Sequence, residues 1–297
     1  MDSFEPETEA VPTATQGLDR LETPALIETL VRDQRRALDA VLEQSEAIAA
    51  AVERIVDRLR AGGRLHYAGA GSSGRLGVLD ASEMPPTFGV PADLVCAHIA
   101  GGRAALTAPV EGAEDDALAA EREFDGHFDE GDALVALSAS GSAIYVLRAL
   151  SIARACGAYA VAVVNSAGAP ALDVCDRAIV LRTGPEALAG STRLKAGTSQ
   201  KVVMNAISTA VMTRLGKVHD NLMVDVVASN AKLQKRALRL IVRLAGVDEA
   251  SAAHLLRDAQ GSVKIAVVMS RRRVDERQAR SLLASAAWSL RAVLDIT

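Results

Sequence analysis

The chain has 297 residues, room for one large domain or two ordinary ones, and 49% of them are hydrophobic while only 3% are aromatic. A core of Ala, Val, Leu and Ile favours close helix and sheet layers over aromatic binding platforms. The formal net charge of -4 argues against a large nucleic-acid footprint, and no apolar run approaches the roughly 18 residues a membrane span needs.

The start, MDSFEPETEA, lacks the basic and apolar regions of a secretory signal. Residues 1–20 are polar and contain proline, and are expected to form a mobile arm. Thr23 followed by Pro24 suits a helix start. Apolar residues then recur at helical spacing from Leu26 to Leu59, predicting two helices over 21–61 that Gly62 and Gly63 stop.

Next come five short apolar runs, each followed by Gly or Ser and then a helical pattern: 64–70, 93–100, 132–139, 158–165 and 178–183. Runs apolar on both faces and separated by helices predict an α/β fold, a parallel five-stranded sheet flanked by helices, over 62–220. Ligands of such sheets sit at the carboxyl ends of the strands. A major helix is expected over 192–215 and another over 222–244, the second within a small helical C-terminal region, 221–297. Three short helices follow there, with Asp248 and Asp275 as caps and Gly261 as a break.

Cys96, Cys156 and Cys175 are an odd number with no C-x-x-C pair, which fits a reduced, cytoplasmic chain. The five histidines show no i, i+4 pair and no cysteine at metal spacing, so no structural or catalytic metal is expected.

Residues 69–89, GAGSSGRLGVLDASEMPPTFG, carry the spacing G-x-G-x-x-G at Gly69, Gly71 and Gly74. A dinucleotide site also needs a carboxylate at the end of the next strand to hold the ribose, and that strand runs instead into Ala100, Gly101, Gly102 and Arg103. What remains is a strand-to-helix turn with hydroxyls at Ser72 and Ser73, where N–H groups at a helix start can hold a phosphate or another anion. SASGSA, 138–143, repeats this chemistry between the third strand and its helix. Two such loops at the ends of two parallel strands can converge on one phosphorylated ligand.

These two loops resemble those of sugar isomerase (SIS) domains, which bind phosphosugars. Longer blocks, GAGSSGRLGVLDASEMPPTFG, IAGGRAAL, VEGAEDD, GPEALAGSTRLKAGTSQK and RLGKVHDNLMVDVVASNAKL, are similar to the N-acetylmuramic acid 6-phosphate etherase family from about residue 20 onward. The resemblance implies cleavage of the D-lactyl ether of N-acetylmuramic acid 6-phosphate, giving N-acetylglucosamine 6-phosphate and D-lactate in cell-wall sugar recycling. It also implies a homodimer working without metal or organic cofactor, with a phosphorylated amino sugar as substrate; the net charge and the lack of a long apolar run lead to no expected nucleic-acid or membrane partner. A silent phosphosugar sensor and a SIS-type isomerase are the alternatives. The sensor needs no acid-base pair, and the isomerase releases no lactate.

Glu83 and Glu114 match the family's two catalytic glutamates. The resemblance implies Glu83 as the acid that protonates departing lactate and Glu114 as the base. The neighbours Met84, Pro85 and Pro86 are expected to desolvate Glu83 and raise its pKa. Phosphate binding falls to Ser72, Ser73, Ser138 and Ser140 with the N–H groups of Gly74 and Gly141. Arg193 and Lys195 are candidates for the lactyl carboxylate or the phosphate. Two departures stand out. The family reads SASGRTPY where this chain has Ser142, Ala143 and Ile144, so a threonine hydroxyl for the phosphate is missing unless Ser142 replaces it. The arm also lacks the family's Thr-Glu-Arg-Asn stretch.

Overall fold

The computed structural model describes residues 4–226 and 231–295. The chain divides into two compact units, Met1–Ala81 with Asp93–Ser208, and Ser82–Ala92 with Thr209–Thr297.

The first unit begins with three helices, α1 (Thr23–Asp33), α2 (Arg35–Leu42) and α3 (Ser45–Arg60), where periodicity predicts two. Pro24 sits in the first turn of α1, but Thr23 makes no side-chain cap there. The α/β body follows as β1 (Leu65–Gly69), α4 (Gly71–Phe88), β2 (Val95–Ile99), α5 (Ala117–Phe124), β3 (Ala133–Ser138), α6 (Ile144–Ala155), β4 (Tyr159–Val164), β5 (Arg177–Val180) and α7 (Lys195–Arg214). The strands pair in the order β2-β1-β3-β4-β5, every neighbour parallel. Each strand lies inside its predicted run except β5, which starts one residue earlier. β3 and β4 are buried along their whole length, which is why they are continuous apolar runs without alternation. Ala136, Leu134, Phe124, Phe128, Tyr145, Val146 and Leu150 form a core between this sheet and the helices α5 and α6.

Residues 4–20, expected as a mobile arm, instead carry three 3-10 turns. Thr8 is buried, Arg182 pairs with Glu7 at 3.1 Å, and the Thr15 hydroxyl donates to the Ala187 carbonyl at 2.9 Å. The histidines show no pair at metal spacing in the sequence, yet three of them meet in the fold. His66, His98 and His127, from β1, β2 and the segment after α5, lie together, because parallel pairing joins positions far apart in sequence.

In the second unit, a hairpin of two-residue strands, β6 (Val218–His219) and β7 (Leu222–Met223), stands where a long helix from 222 is predicted. The helix α8 (Ala231–Ile241) starts after it. Four short helices complete the chain where three are predicted: α9 (Glu249–Asp258), α10 (Val263–Arg272), α11 (Glu276–Ser285) and α12 (Leu290–Leu294). Asp248 caps α9 and Asp275 caps α11, the latter in a full capping box with Gln278. Gly261, at φ 86, breaks the chain between α9 and α10. Lys264 is fully buried and pairs with Asp225 at 2.7 Å.

Candidate active site

Strand order reverses between β1 and β3: the connection through α4 leads outward to β2, and the one through α6 leads the opposite way to β4. Right-handed crossovers then put α4 and α6 on opposite faces and open a crevice at the carboxyl ends of β1 and β3. Both serine loops start there, since Gly69 and Leu137 are register partners. Glycine is required at two positions. A Cβ on Gly74 would lie 2.5 Å from the Gly69 carbonyl oxygen and 2.6 Å from Ile99, so the third glycine lets the first turn of α4 press against β1. Gly141 has φ +71, and its Cβ would lie 2.4 Å from that of Ala169.

The structure changes the expected backbone donors. The Gly74 N–H donates to Ala70 O at 3.2 Å and that of Gly141 to Ser138 Oγ at 2.9 Å, so both are already used inside the turns. The free donors of a helix are those of its first turn, which here means Ser72 and Ser73 in α4 and Ile144 and Tyr145 in α6. Among the hydroxyls, Ser73 is buried and donates to Gln200 Oε1 at 2.7 Å. Gln200 in turn donates to Asn165 at 3.0 Å, and Asn165 to Ser199 at 2.9 Å. Ser73 therefore anchors the first loop to α7, and Ser72 is its open hydroxyl. In the second loop Ser140 Oγ accepts from the Ser142 hydroxyl at 2.9 Å and its N–H at 3.3 Å, and lies 3.5 Å from Ser138 Oγ. Ser142 thus turns back onto the loop, and Ala143 is the N-cap of α6 with no side-chain cap.

Glu114 lies on the turn Ala113–Asp115. It is exposed and lines a hollow of about 200 Å³ together with Gly71, Arg75, Ala100, Ala105 and Val110. The structure thereby brings one predicted glutamate to the opening turn of α4. Its neighbour Asp116 has a different task, capping α5 through a 2.8 Å bond from Ala119 N. Arg75, not singled out by sequence, is held by the carbonyls of Leu106 and Ala108 at 3.3 and 3.2 Å. It also borders a second hollow, of about 460 Å³, that contains Ser72, Arg193, Thr198 and Lys201. Glu83 falls in the second unit. Its apolar neighbours do not bury it: Met84 and Phe88 take the inward side of α4 and Glu83 is exposed.

Lys195 is corrected as a ligand candidate. It is 5% exposed, and its ammonium donates to Asp33 at 2.8 Å and to the Pro185 carbonyl at 2.6 Å. Beside it, the buried Glu186 carboxylate accepts the N–H groups of Lys195 and Ala196, each at 2.9 Å, and so caps α7. Burial pushes this carboxyl up, against the pull of those two bonds and of Lys195. Lys201 and Arg193, with Arg75, are the cations that line the hollow beside Ser72. Asp80 accepts from Tyr67 at 2.8 Å, Asn205 at 2.6 Å and Ser208 at 3.2 Å, which ties α4 to β1 and α7. A further hollow, about 820 Å³ and bordered by Lys217, Asp225 and Trp288, is in the second unit and contains none of the predicted residues.

A five-stranded parallel sheet with two serine-glycine loops at its switch point is the architecture of a SIS-type phosphosugar-binding domain. Residues 47–154 match the model of the glucokinase regulatory protein N-terminal SIS domain. A solved phosphosugar isomerase-like protein of Bacteroides fragilis, involved in capsule formation, superposes with a TM-score of 0.50 at 21% identity, covering 66% of this chain and 94% of the other, which shows the shared fold. Full-length similarity goes further. The chain is 46% identical over 288 residues to the N-acetylmuramic acid 6-phosphate etherase of Deinococcus radiodurans, covering 97% of this chain and 94% of that one. It is 48% identical over 289 residues to that of a Synechococcus species, covering 97% and 92%. The chain belongs to the N-acetylmuramic acid 6-phosphate etherase family.

Proposed function

We propose that this chain cleaves the D-lactyl ether of N-acetylmuramic acid 6-phosphate by elimination and hydration. An alkoxide is a poor leaving group, so displacement by water at sugar C3 is an unfavourable route. With the ring open, the C1 aldehyde acidifies the C2 proton, and the lactyl oxygen on C3 lies beta to it. Glu114 takes the C2 proton, the electron pair forms the C2–C3 double bond, and the C3–O bond breaks as Glu83 protonates the departing lactate. Water then adds its hydroxyl to C3 while a proton returns to C2, leaving N-acetylglucosamine 6-phosphate. Two carboxyl groups of opposite protonation are needed at once, each worth on the order of 10² to 10⁴ in rate.

The serine loops hold the 6-phosphate: the hydroxyls of Ser72, Ser138 and Ser140 and the first-turn N–H groups of α4 and α6 are its donors. Arg193 supplies a cation on the Ser72 side. The observation that carries this reading is the hollow in which Glu114 meets Gly71 and Arg75 at the opening of α4. The family resemblance supports a homodimer as the working form, and three free cysteines fit a reducing, cytoplasmic compartment. Glu114→Gln and Glu83→Gln test the reaction through the rate of D-lactate release. Both positions are exposed, so stability should change by no more than about 0.5 kcal/mol while turnover falls by roughly 10² or more. A folded variant with full activity removes that residue from the mechanism.

A further inference from the structure

His66, His98 and His127 each offer a ring nitrogen, and these nitrogens lie within 4.8 Å of one another. His66 Nδ1 is 3.1 Å from His98 Nε2. Two nitrogens bound to one tetrahedral zinc ion at about 2.0–2.1 Å stand about 3.3 Å apart, so the pair is within a few tenths of an ångström of a shared coordination sphere. The His127 ring stands at 89° to that of His98, with centroids 4.7 Å apart, and approaches from a third direction.

The outer nitrogens of the two buried rings both face carboxylates. His66 Nε2 is 3.2 Å from Asp132 Oδ2, and His98 Nδ1 is 3.3 Å from Glu123 Oε1. Asp132 is fixed in turn by Arg64 and by the Asp129 N–H, at 2.7 to 3.0 Å. Glu123 Oε2 accepts from the Tyr145 hydroxyl at 2.8 Å. A carboxylate on the far nitrogen of a metal-binding histidine sets the tautomer, orients the ring and raises the basicity of the near nitrogen. Here both buried rings have one.

Counting protons shows what the centre lacks. Asp132, His66, His98 and Glu123 form a line of three contacts, and three hydrogen bonds need three protons. Two neutral imidazoles carry two, both used on the carboxylates, so the inner nitrogens meet as two lone pairs. Either an extra proton makes a cationic ring pair in a site where His66 is 0% and His98 8% exposed, or a cation binds both lone pairs at once. His127 offers its own lone pair to such a cation.

We propose that His66, His98 and His127 form a binding site for a divalent transition metal ion, Zn²⁺ being the class that three imidazoles suit. The ion would tie β1, β2 and the segment between α5 and β3 together. His66 is the second residue of β1, whereas the serine loops follow the carboxyl ends of β1 and β3, so the ion takes no part in the reaction proposed above. Partly exposed His127 provides the entry path, and a water can complete the coordination.

The test is titration of the metal-stripped full chain with Co²⁺ at neutral pH, followed by visible absorption, with Zn²⁺ added afterwards as competitor. The expected result is one equivalent bound with the d–d bands of a four-coordinate ion, no thiolate charge-transfer band, displacement by Zn²⁺, and a raised unfolding temperature. Glu123→Gln, which leaves all three ligands in place, should weaken binding by about 10- to 100-fold, and His127→Gln by at least as much. Absence of the bands in excess Co²⁺, a thiolate band from Cys96, or unchanged affinity in both variants overturns the proposal.

Discussion

Replacing Ala143 with threonine tests the second serine loop at the start of α6. Ala143 is the N-cap of α6, with φ -55 and ψ 119, and no side chain caps the first turn. A threonine Oγ there has two possible partners. Accepting from the first-turn N–H groups would stabilise the helix by about 0.5 to 2 kcal/mol. Donating to a bound phosphate would add a charge-assisted bond of about 1.5 to 3 kcal/mol, and at 1.4 kcal/mol per factor of ten that lowers KM by roughly 10- to 150-fold with kcat unchanged. Ser142 does not already supply this hydroxyl, because it donates to Ser140. Urea unfolding reads the first effect and steady-state lactate release the second. The account predicts the lower KM. A KM equal to that of the parent would place the phosphate away from the start of α6 and refute the reasoning, whatever happens to stability.

Lys195 and Arg193, close in sequence, should separate cleanly. Lys195→Met strands Asp33 beside a buried site and should cost about 3 to 5 kcal/mol in denaturant unfolding, whereas Arg193→Met, at an exposed position, should raise KM at unchanged stability. Glu186→Ala leaves two N–H groups of α7 without their 2.9 Å partner, each worth about 1 to 3 kcal/mol when buried; a lowered urea midpoint is the expected readout. Gly141→Ala meets both a left-handed backbone and the Ala169 methyl at 2.4 Å. Isothermal titration with N-acetylglucosamine 6-phosphate should find binding lost before the fold is, and undiminished affinity would mean the second loop holds no phosphate.

The sheet was legible because β1, β3 and β4 are buried along their whole length, which turns them into short apolar runs bounded by Gly and Ser. The two serine loops followed from the same pattern. What sequence periodicity missed has physical causes. Residues 43 and 44 between α2 and α3 include neither Gly nor Pro, so that break leaves no mark, and two-residue strands such as β6 and β7 are too short for any period. Rotation about α7 was equally hidden. Lys195 and Lys201 are six residues apart, about 600° at 100° per residue, so one turns to Asp33 and the other to the hollow beside Ser72. The helix is apolar on several sides and offers no phase to choose between them. The surroundings of Glu83 were misjudged because proline and methionine neighbours say nothing about which side of the helix faces water. The histidine cluster depends on strand pairing, which no local spacing reports.

The central claim is elimination across C2 and C3 of a phosphosugar held by the serine loops. It is tested most directly by running the reaction on N-acetylmuramic acid 6-phosphate in heavy water enriched in 18O and weighing both products. The account predicts 18O at C3 and deuterium at C2 of the sugar, with the ether oxygen of lactate unlabelled. Label in the lactate oxygen, or 18O at C3 without deuterium at C2, would contradict it.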